Sequence, residues 1–489
     1  MRAIERKTKM SVLACAWALA GALPAAGHAD TLQSALVNAY KYNPQLQSER
    51  ELLQAKDEGY VQATAEMSPT ASLQMQTIYQ GQRLGFAQWQ GQQLAVPGYP
   101  RDQEQNSVSA QLIVSQPLYT GGKAAGDMES ADFVIQAGKE GLRSAEATVL
   151  FDAIQAYAGL LHDQAALEIE KANLDNLTHE VAEAAARKTA GELTRTDVEQ
   201  VQVQVASVQS QLISAEGQVK ISRATYAQVV GSEPGDLAAL PDLQGLPDTL
   251  DAAFKRALKD NPDLNDAIFT EASSRAQITS AKGALRPNVS AQLQQGYDGQ
   301  AAPFNGPNLE RGTTVGLTVT VPLFAGGANS SRVRQAKDQN LSDRATIDSV
   351  RRQVFSAVQT AWQQRTVALG EIEASQRQLA SAQVAFEGMQ KEYSAGDRST
   401  LDVLTAEENL VDAQLALEGA KRDAFVASAS LLQATGWLGI RNLTMVNSID
   451  HPDEDLKRVQ QKIIVPLVKP LIALDGLGTT QVRPIQLTK

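Results

Sequence analysis

The sequence predicts a mainly α-helical chain that also lends strands to a membrane β-barrel, too few of them to close the barrel alone. Three observations carry this expectation. The N-terminus reads as an export signal, nearly everything after it is duplicated, and each half holds a period-2 strand pair followed by very long helices. The composition agrees. Of 489 residues, 43% are hydrophobic, too many for a disordered chain, and only 5% are aromatic, which suits thin helical packing better than a thick globular core. A formal charge of −11 argues against a nucleic-acid partner.

Arg2, Arg6, Lys7 and Lys9 form a cationic start, Met10 to Leu23 is apolar, and Gly27-His28-Ala29 reads as a small-x-small cleavage site before Asp30. The apolar run falls short of the ~20 residues that a durable transmembrane helix needs. Residues 1–29 are therefore expected to be removed as a signal peptide, and Cys15, the single cysteine, with them. The mature chain would then have no disulfide, no thiol nucleophile and no cysteine metal site. No later apolar run is long enough to suggest a transmembrane helix.

The mature chain is read as two repeats, 30–235 and 236–440, with a C-terminal tail, 441–489. Pro117-Leu118-Tyr119-Thr120-Gly121-Gly122 matches Pro322-Leu323-Phe324-Ala325-Gly326-Gly327 at an offset of 205. Ala190-Gly191, Asp197-Val198 and Gly231 recur at the same offset as Ala395-Gly396, Asp402-Val403 and Gly436. Upstream the offset is 218, pairing Asn43-Pro44 with Asn261-Pro262 and Pro69 with Pro287. The extra residues fall in Gln80 to Gln105, a stretch rich in Gly, Gln and Pro that is expected to be a longer loop in the first repeat.

Each repeat starts with a helix, Leu32 to Met67 in the first, interrupted at an Asn-Pro step because Pro lacks the backbone donor. Strands are expected near 70–79, 107–118, 288–297 and 312–323. Val108, Ala110, Leu112 and Val114 alternate with Ser107, Ser109, Gln111 and Ser115, with Ile113 breaking the polar face. Val315, Leu317, Val319 and Val321 alternate with Thr314, Gly316, Thr318 and Thr320. Two long helices follow each pair. Val198, Val201, Val205, Val208, Leu212, Ala215 and Val219 are spaced three and four apart, as are Val403, Ala406, Leu410, Ala413, Leu417 and Ala420. That is a heptad seam. A helix from about Lys123 to Thr189 would be roughly 100 Å long, far more than the ~30 Å of a bilayer core, so it must project through water. The tail contains an apolar stretch, Val465 to Leu474, broken by Pro466, Lys469 and Pro470, and is expected to be loosely packed.

Four amphipathic strands cannot close a barrel, and lipid does not tolerate open edges. Several copies are therefore expected to combine, since barrels begin at about eight strands. Tyr79, Phe86, Trp89, Tyr99, Tyr119, Tyr297, Phe304 and Phe324 cluster around the strands and suit an interfacial girdle.

With the Pro-Leu-Phe-Ala-Gly-Gly run after the last strand, this two-repeat pattern resembles the TolC-like outer-membrane efflux proteins. The stretch from Tyr393 through Ser394-Ala395-Gly396-Asp397-Arg398-Ser399-Thr400-Leu401-Asp402 to Leu404 resembles the family's helix-tip segment. The resemblance covers about Thr31 to Leu438. It implies a homotrimer, with four strands per chain making a 12-stranded β-barrel in the outer membrane that continues into a 12-helix coiled-coil α-barrel across the periplasm. It also implies a periplasmic adaptor and an inner-membrane ABC, RND or MFS pump as partners, with outer-membrane lipid around the barrel. By motif position, Arg398 would link to Thr196 on a neighbouring helix pair and Tyr393 to Asp197, closing the periplasmic end. Asp402 would form a ring of three carboxylates. One turn on, where a second acid is expected, stands Thr405. Gly191 and Gly396 would end the outgoing helices at the two tips, with Thr194 and Ser399 capping the returning ones.

The rival readings are a periplasmic adaptor, a soluble coiled-coil scaffold and an enzyme. An adaptor would show one hairpin beside a lipoyl-like β module, not two full repeats. For an enzyme, neither a phosphate-binding Gly loop nor a Gly-x-Ser-x-Gly elbow is found. His162 and His179 lack zinc-ligand spacing, and neither a metal nor another cofactor is expected. The function that the resemblance implies is an outer-membrane exit duct for the export of small molecules or proteins.

Overall fold

A computed structural model of the chain describes residues 30–301, 306–443, 457 and 468–487. The expected signal peptide, Phe304 and part of the tail lie outside the described residues. The first repeat comprises α1 (Leu32–Tyr42), α2 (Pro44–Ala65), β1 (Thr70–Arg83), α3 (Phe86–Ala95), β2 (Asp102–Tyr119), α4 (Lys123–Thr189) and α5 (Arg195–Val230). The second comprises α6 (Leu250–Asp260), α7 (Pro262–Gly283), β3 (Asn288–Gln300), β4 (Glu310–Thr320), α8 (Ala328–Ala395) and α9 (Thr400–Ala434). Two short helices follow, α10 (Ile440–Leu443) and α11 (Val468–Asp475).

Asn43 and Asn261 do the same work in the two repeats. Each precedes a Pro at the first helical position, caps the following helix, and reaches back to the end of that repeat's last long helix. Asn43 donates to Val229 O at 3.3 Å and Asn261 to Ala434 O at 3.1 Å.

The four strands form one antiparallel sheet in the order β1-β2-β3-β4, so the central pairing, β2 with β3, joins the two repeats. The register lines up Ala71, Val114, Leu293 and Val315 across the sheet on one face. One residue along, Ser72, Ile113, Gln294 and Thr314 line up on the other. Gln294 Nε2 donates to Gln111 Oε1 at 2.6 Å on that polar face. Both outer strands keep an unpaired edge, and their apolar side chains are exposed: Met75 by 73% and Val315 by 77%. A face and an edge of this kind are satisfied only in lipid and by further strands.

Two strand boundaries differ from expectation. The stretch 80–105 is not a plain loop, because β1 and β2 stay paired out to Arg83 and Asp102 and α3 forms within the connection. Trp89 Nε1 donates to Tyr99 O there, at 3.0 Å. Strand β4 stops at Thr320 rather than near 323, just before Pro322, which has no N–H for a ladder. The equivalent Pro117 lies inside β2, where the ladder tolerates it through a register shift between Pro117 and Tyr119.

Helices α4 and α8 have 67 and 68 residues, so each is about 100 Å long at 1.5 Å per residue. The main core joins the middle of α4 to α1, α5 and the end of α9 through Leu36, Leu150, Ile154, Tyr157, Tyr226 and Leu432. A second core packs α6 and α7 on α8 and α9 through Ala253, Leu264, Ile347, Val358 and Leu431. Along α8, Val333, Asn340, Ile347, Val354, Ala361 and Ala368 are buried at every seventh position, a coiled-coil repeat.

The C-terminal residues 468–487 are not loosely packed, contrary to expectation. Asp475 is fully buried and accepts from Thr120 N, Thr120 Oγ1, Gly122 N and Ala125 N at 2.5–3.3 Å. Val482 N donates to Glu129 Oε1 at 2.6 Å, and Ile485 and Leu487 pack on the second core. An aspartate that gathers four donors holds a segment that its broken apolar pattern would leave free.

Candidate functional site: the two hairpin tips

The turns between α4 and α5 and between α8 and α9 share one design. Gly191 (φ +84°) and Gly396 (φ +87°) take the left-handed conformation that lets the chain leave a helix sharply. Thr194 and Ser399 then cap the returning helices, and each receives a complete capping box from the aspartate three residues on. Asp197 Oδ2 accepts from Thr194 N and Oγ1, both at 2.8 Å; Asp402 Oδ2 accepts from Ser399 N at 3.0 Å and Oγ at 2.8 Å. The backbone N–H of Thr194, then its hydroxyl, holds Asp197 below the usual carboxylate range, and Ser399 does the same for Asp402, with Arg398 adding to it. Both carboxylates are therefore anions near neutral pH. In each box Oδ2 takes both bonds.

The charges around the two turns are inverted. At the first tip Arg187, on α4, pairs with Glu192 in the turn at 3.1 Å; at the second Glu392, on α8, pairs with Arg398 in the turn at 2.7 Å. Arg187 and Glu392 occupy equivalent positions, 205 residues apart. Arg187 also lies over the Tyr393 ring, 4.7 Å from its centroid, joining the first tip to the second. Thr400, buried at the head of α9, donates to Tyr393 OH at 3.4 Å.

Among the described residues of a single chain, Arg398 makes no hydrogen bond to Thr196, nor Tyr393 to Asp197. Glu392 lies within reach of Arg398, and the Asp197 box is already closed by Thr194. Thr196 is exposed in the first turn of α5. Thr405 is also exposed, and its hydroxyl donates to Leu401 O at 2.9 Å, so it supplies no second acid.

Sequence reasoning missed Arg187, Glu192 and Glu392, and above all Glu407. The last is 4% exposed, and neither carboxylate oxygen has a hydrogen-bond partner. Its spacing from Val403 and Leu404 was the available signal, because positions three and four residues past a buried pair share its face. Among the described residues no group of acids, His and Cys could hold a metal ion, and no helix is long and apolar enough to cross a membrane.

A four-stranded sheet with two free edges at one end and two coiled hairpins with charged tips at the other define a class: one protomer of a composite channel, part barrel and part tunnel. The chain belongs to the outer membrane efflux protein family, which matches residues 35–232 and 253–437. It is 30% identical over 435 residues to the outer membrane efflux protein BepC of Brucella suis biovar 1 (strain 1330), covering 88% of this chain and 91% of that protein. It is 25% identical over 364 residues to the outer membrane protein TolC of Escherichia coli (strain K12), covering 70% and 72%. The open state of the Neisseria gonorrhoeae MtrE outer membrane channel shares the fold, with a TM-score of 0.71 at 19% identity over 84% of this chain and 91% of that one.

The chain is thus an outer-membrane exit duct and not a periplasmic adaptor. It acts as a homotrimer, with its barrel in the outer membrane and its helical tunnel in the periplasm, together with a periplasmic adaptor and an inner-membrane pump. Members of the family are channels rather than enzymes.

Proposed function

We propose that the two hairpin tips are the periplasmic gate of this duct. In the closed trimer Arg398 and Tyr393 bond to Thr196 and Asp197 of neighbouring helix pairs, and three copies of Asp402 ring the threefold axis. The observation that carries this reading is the pair of capping boxes, which hold Asp197 and Asp402 ionised at the heads of α5 and α9 while using only Oδ2 of each. Oδ1 of Asp197 is left to accept from the Tyr393 hydroxyl of a neighbouring helix pair, and the exposed guanidinium of Arg398 offers a rigid fork of donors to the exposed Thr196. A ring of like carboxylates attracts cations and repels anions. With Thr405 in place of a second acid, one such ring acts alone. The duct itself converts no substrate, and the energy for transport comes from the pump.

Single-channel recording in planar bilayers tests the gate. Arg398→Ser and Tyr393→Phe are each expected to raise conductance, because each removes one side of a closing link. Unchanged conductance in both variants would take these residues out of the gate.

A further inference from the structure

Within one chain the two long hairpins meet where α4 packs along α9, and this seam is acidic. Glu407 of α9 is buried with both carboxylate oxygens unpartnered, and Glu180 of α4 is its electrostatic neighbour. Higher on the same seam Glu170 of α4 is 7% exposed, with one oxygen unpartnered, and feels the charge of Asp412 of α9. The duplication shows what the other seam of the tunnel must contain. In the homotrimer the quasi-equivalent contact sets α8 of one copy against α5 of the next, and the offset of 205 converts Glu180 and Glu407 into Ala385 and Gln202. Glu170 and Asp412 become Ser375 and Ser207. Three seams of the tunnel therefore carry facing acids and the three others carry none at these positions.

Resting on the duct reading, we propose that Glu407 holds a proton beside Glu180 and that the two form a pH-dependent latch on the seam between the two hairpins of each chain. The proton keeps the seam closed. Its loss places two negative charges in a helix interface and favours separation of the α8–α9 hairpin from α4, while the seams between copies do not respond. Burial pushes Glu407 up to about 8, with the Glu180 charge adding to it, and burial also raises Glu180, with Glu183 adding. Among the described residues no cation offsets the charge of the pair. Helix α5 has no charged residue between Glu199 and Glu216, and Glu387 and Lys391 on α8 and Glu408 on α9 are exposed.

The sign follows from linkage. In a separated seam Glu407 is solvated, with an ordinary value near 4.5, whereas in the closed seam it titrates near 8. Below the lower value both states hold the proton, and closure is fully favoured. Between the two only the closed state holds it, so rising pH favours opening by up to about tenfold per pH unit for each seam, levelling off above the higher value.

The test uses the detergent-purified trimer. Wild-type open probability in planar bilayers is expected to rise with pH across that window, and Glu407→Gln to stay flat at the low-pH level. Glu180→Gln keeps Glu407 but removes its repelling neighbour, so it should move the midpoint to lower pH. Infrared spectra of the same trimer, read without any channel measurement, should show a protonated-carboxyl band that fades between about pH 6 and about pH 9 and is missing in Glu407→Gln. An unchanged pH response in Glu407→Gln, an unmoved midpoint in Glu180→Gln, or a carboxyl band independent of Glu407 would each overturn the proposal. So would loosening of the wild type, but not of Glu407→Gln, by a chelator at high pH, because the pair would then hold a divalent cation rather than a proton.

Discussion

The two strand-to-helix junctions have nearly the same residues and opposite surroundings. Pro117 to Gly122 is enclosed: Asp475 gathers its backbone, and Arg286 donates to Gly121 O at 3.2 Å. A Cβ added to Gly121 would lie 2.7 Å from both Arg286 Cβ and Gly283 O. Pro322 to Gly327 is nearly bare, with Pro322 half-buried and every residue after it exposed. Leu323 is 93% exposed, Phe324 is 90% exposed, and a Cβ at Gly326 or Gly327 would have no neighbour within 4 Å. Both glycine pairs have positive φ, so the turn itself is the same. The difference teaches that cover is set by place in the ring. Strand β2 sits between the repeats of one chain, with β3 and α7 beside it, while β4 is the edge at which the next copy must dock.

Asp475→Ala should give the largest break in this comparison. It strands buried donors at the first junction only, at a cost of about 3 kcal/mol. The melting temperature of the detergent-solubilised trimer should fall clearly, and an unchanged value would mean that residues 468–487 are not a stabilising strap. Gly121→Ala and Gly326→Ala form the matched pair. Each should lose about 1 kcal/mol to left-handed backbone strain, and Gly121→Ala a further ~1–3 kcal/mol from overpacking. Equal losses in the assembled trimer would show that the next copy covers the second junction as tightly as this chain covers the first. The smallest effect on stability should come from the tips, where Asp197 and Asp402 occupy equivalent positions. Asp402→Asn is expected to weaken cation preference and block by multivalent cations, with Asp197→Asn changing them less. Reversal-potential measurements decide it, and equal effects would place both aspartates on the ion path.

Much of this was legible before the structure. The Asn-Pro breaks, the heptad seams starting at Val198 and Val403, and the Gly191 and Gly396 turns depend on residues within a few positions of each other, and each formed as read. The capping boxes were half visible, since Thr194 and Ser399 were identified as caps but the return bonds of Asp197 and Asp402 were not. Less legible was anything set by a distant partner. The stretch 80–105 reads as a loop by composition, yet pairing through Arg83 and Asp102 extends the strands. Residues 468–487 read as a free tail because their anchor, Asp475, meets Thr120 across 355 positions of sequence. Arg398 reads as a link to Thr196, but within one chain the nearer Glu392 holds it.

By itself the sequence determined the elements, their twofold repetition and the need for copies, because side-chain periodicity, proline and glycine act locally and an amphipathic strand declares its two faces wherever it sits. Only the tertiary structure decided that β2 pairs with β3 across the repeats, that one junction is strapped and its twin bare, and that Glu407 is buried beside Glu180. The reason is that burial is non-directional. An apolar or acidic face shows that it needs a cover or a partner, but the chain must close on itself before that partner has a residue number.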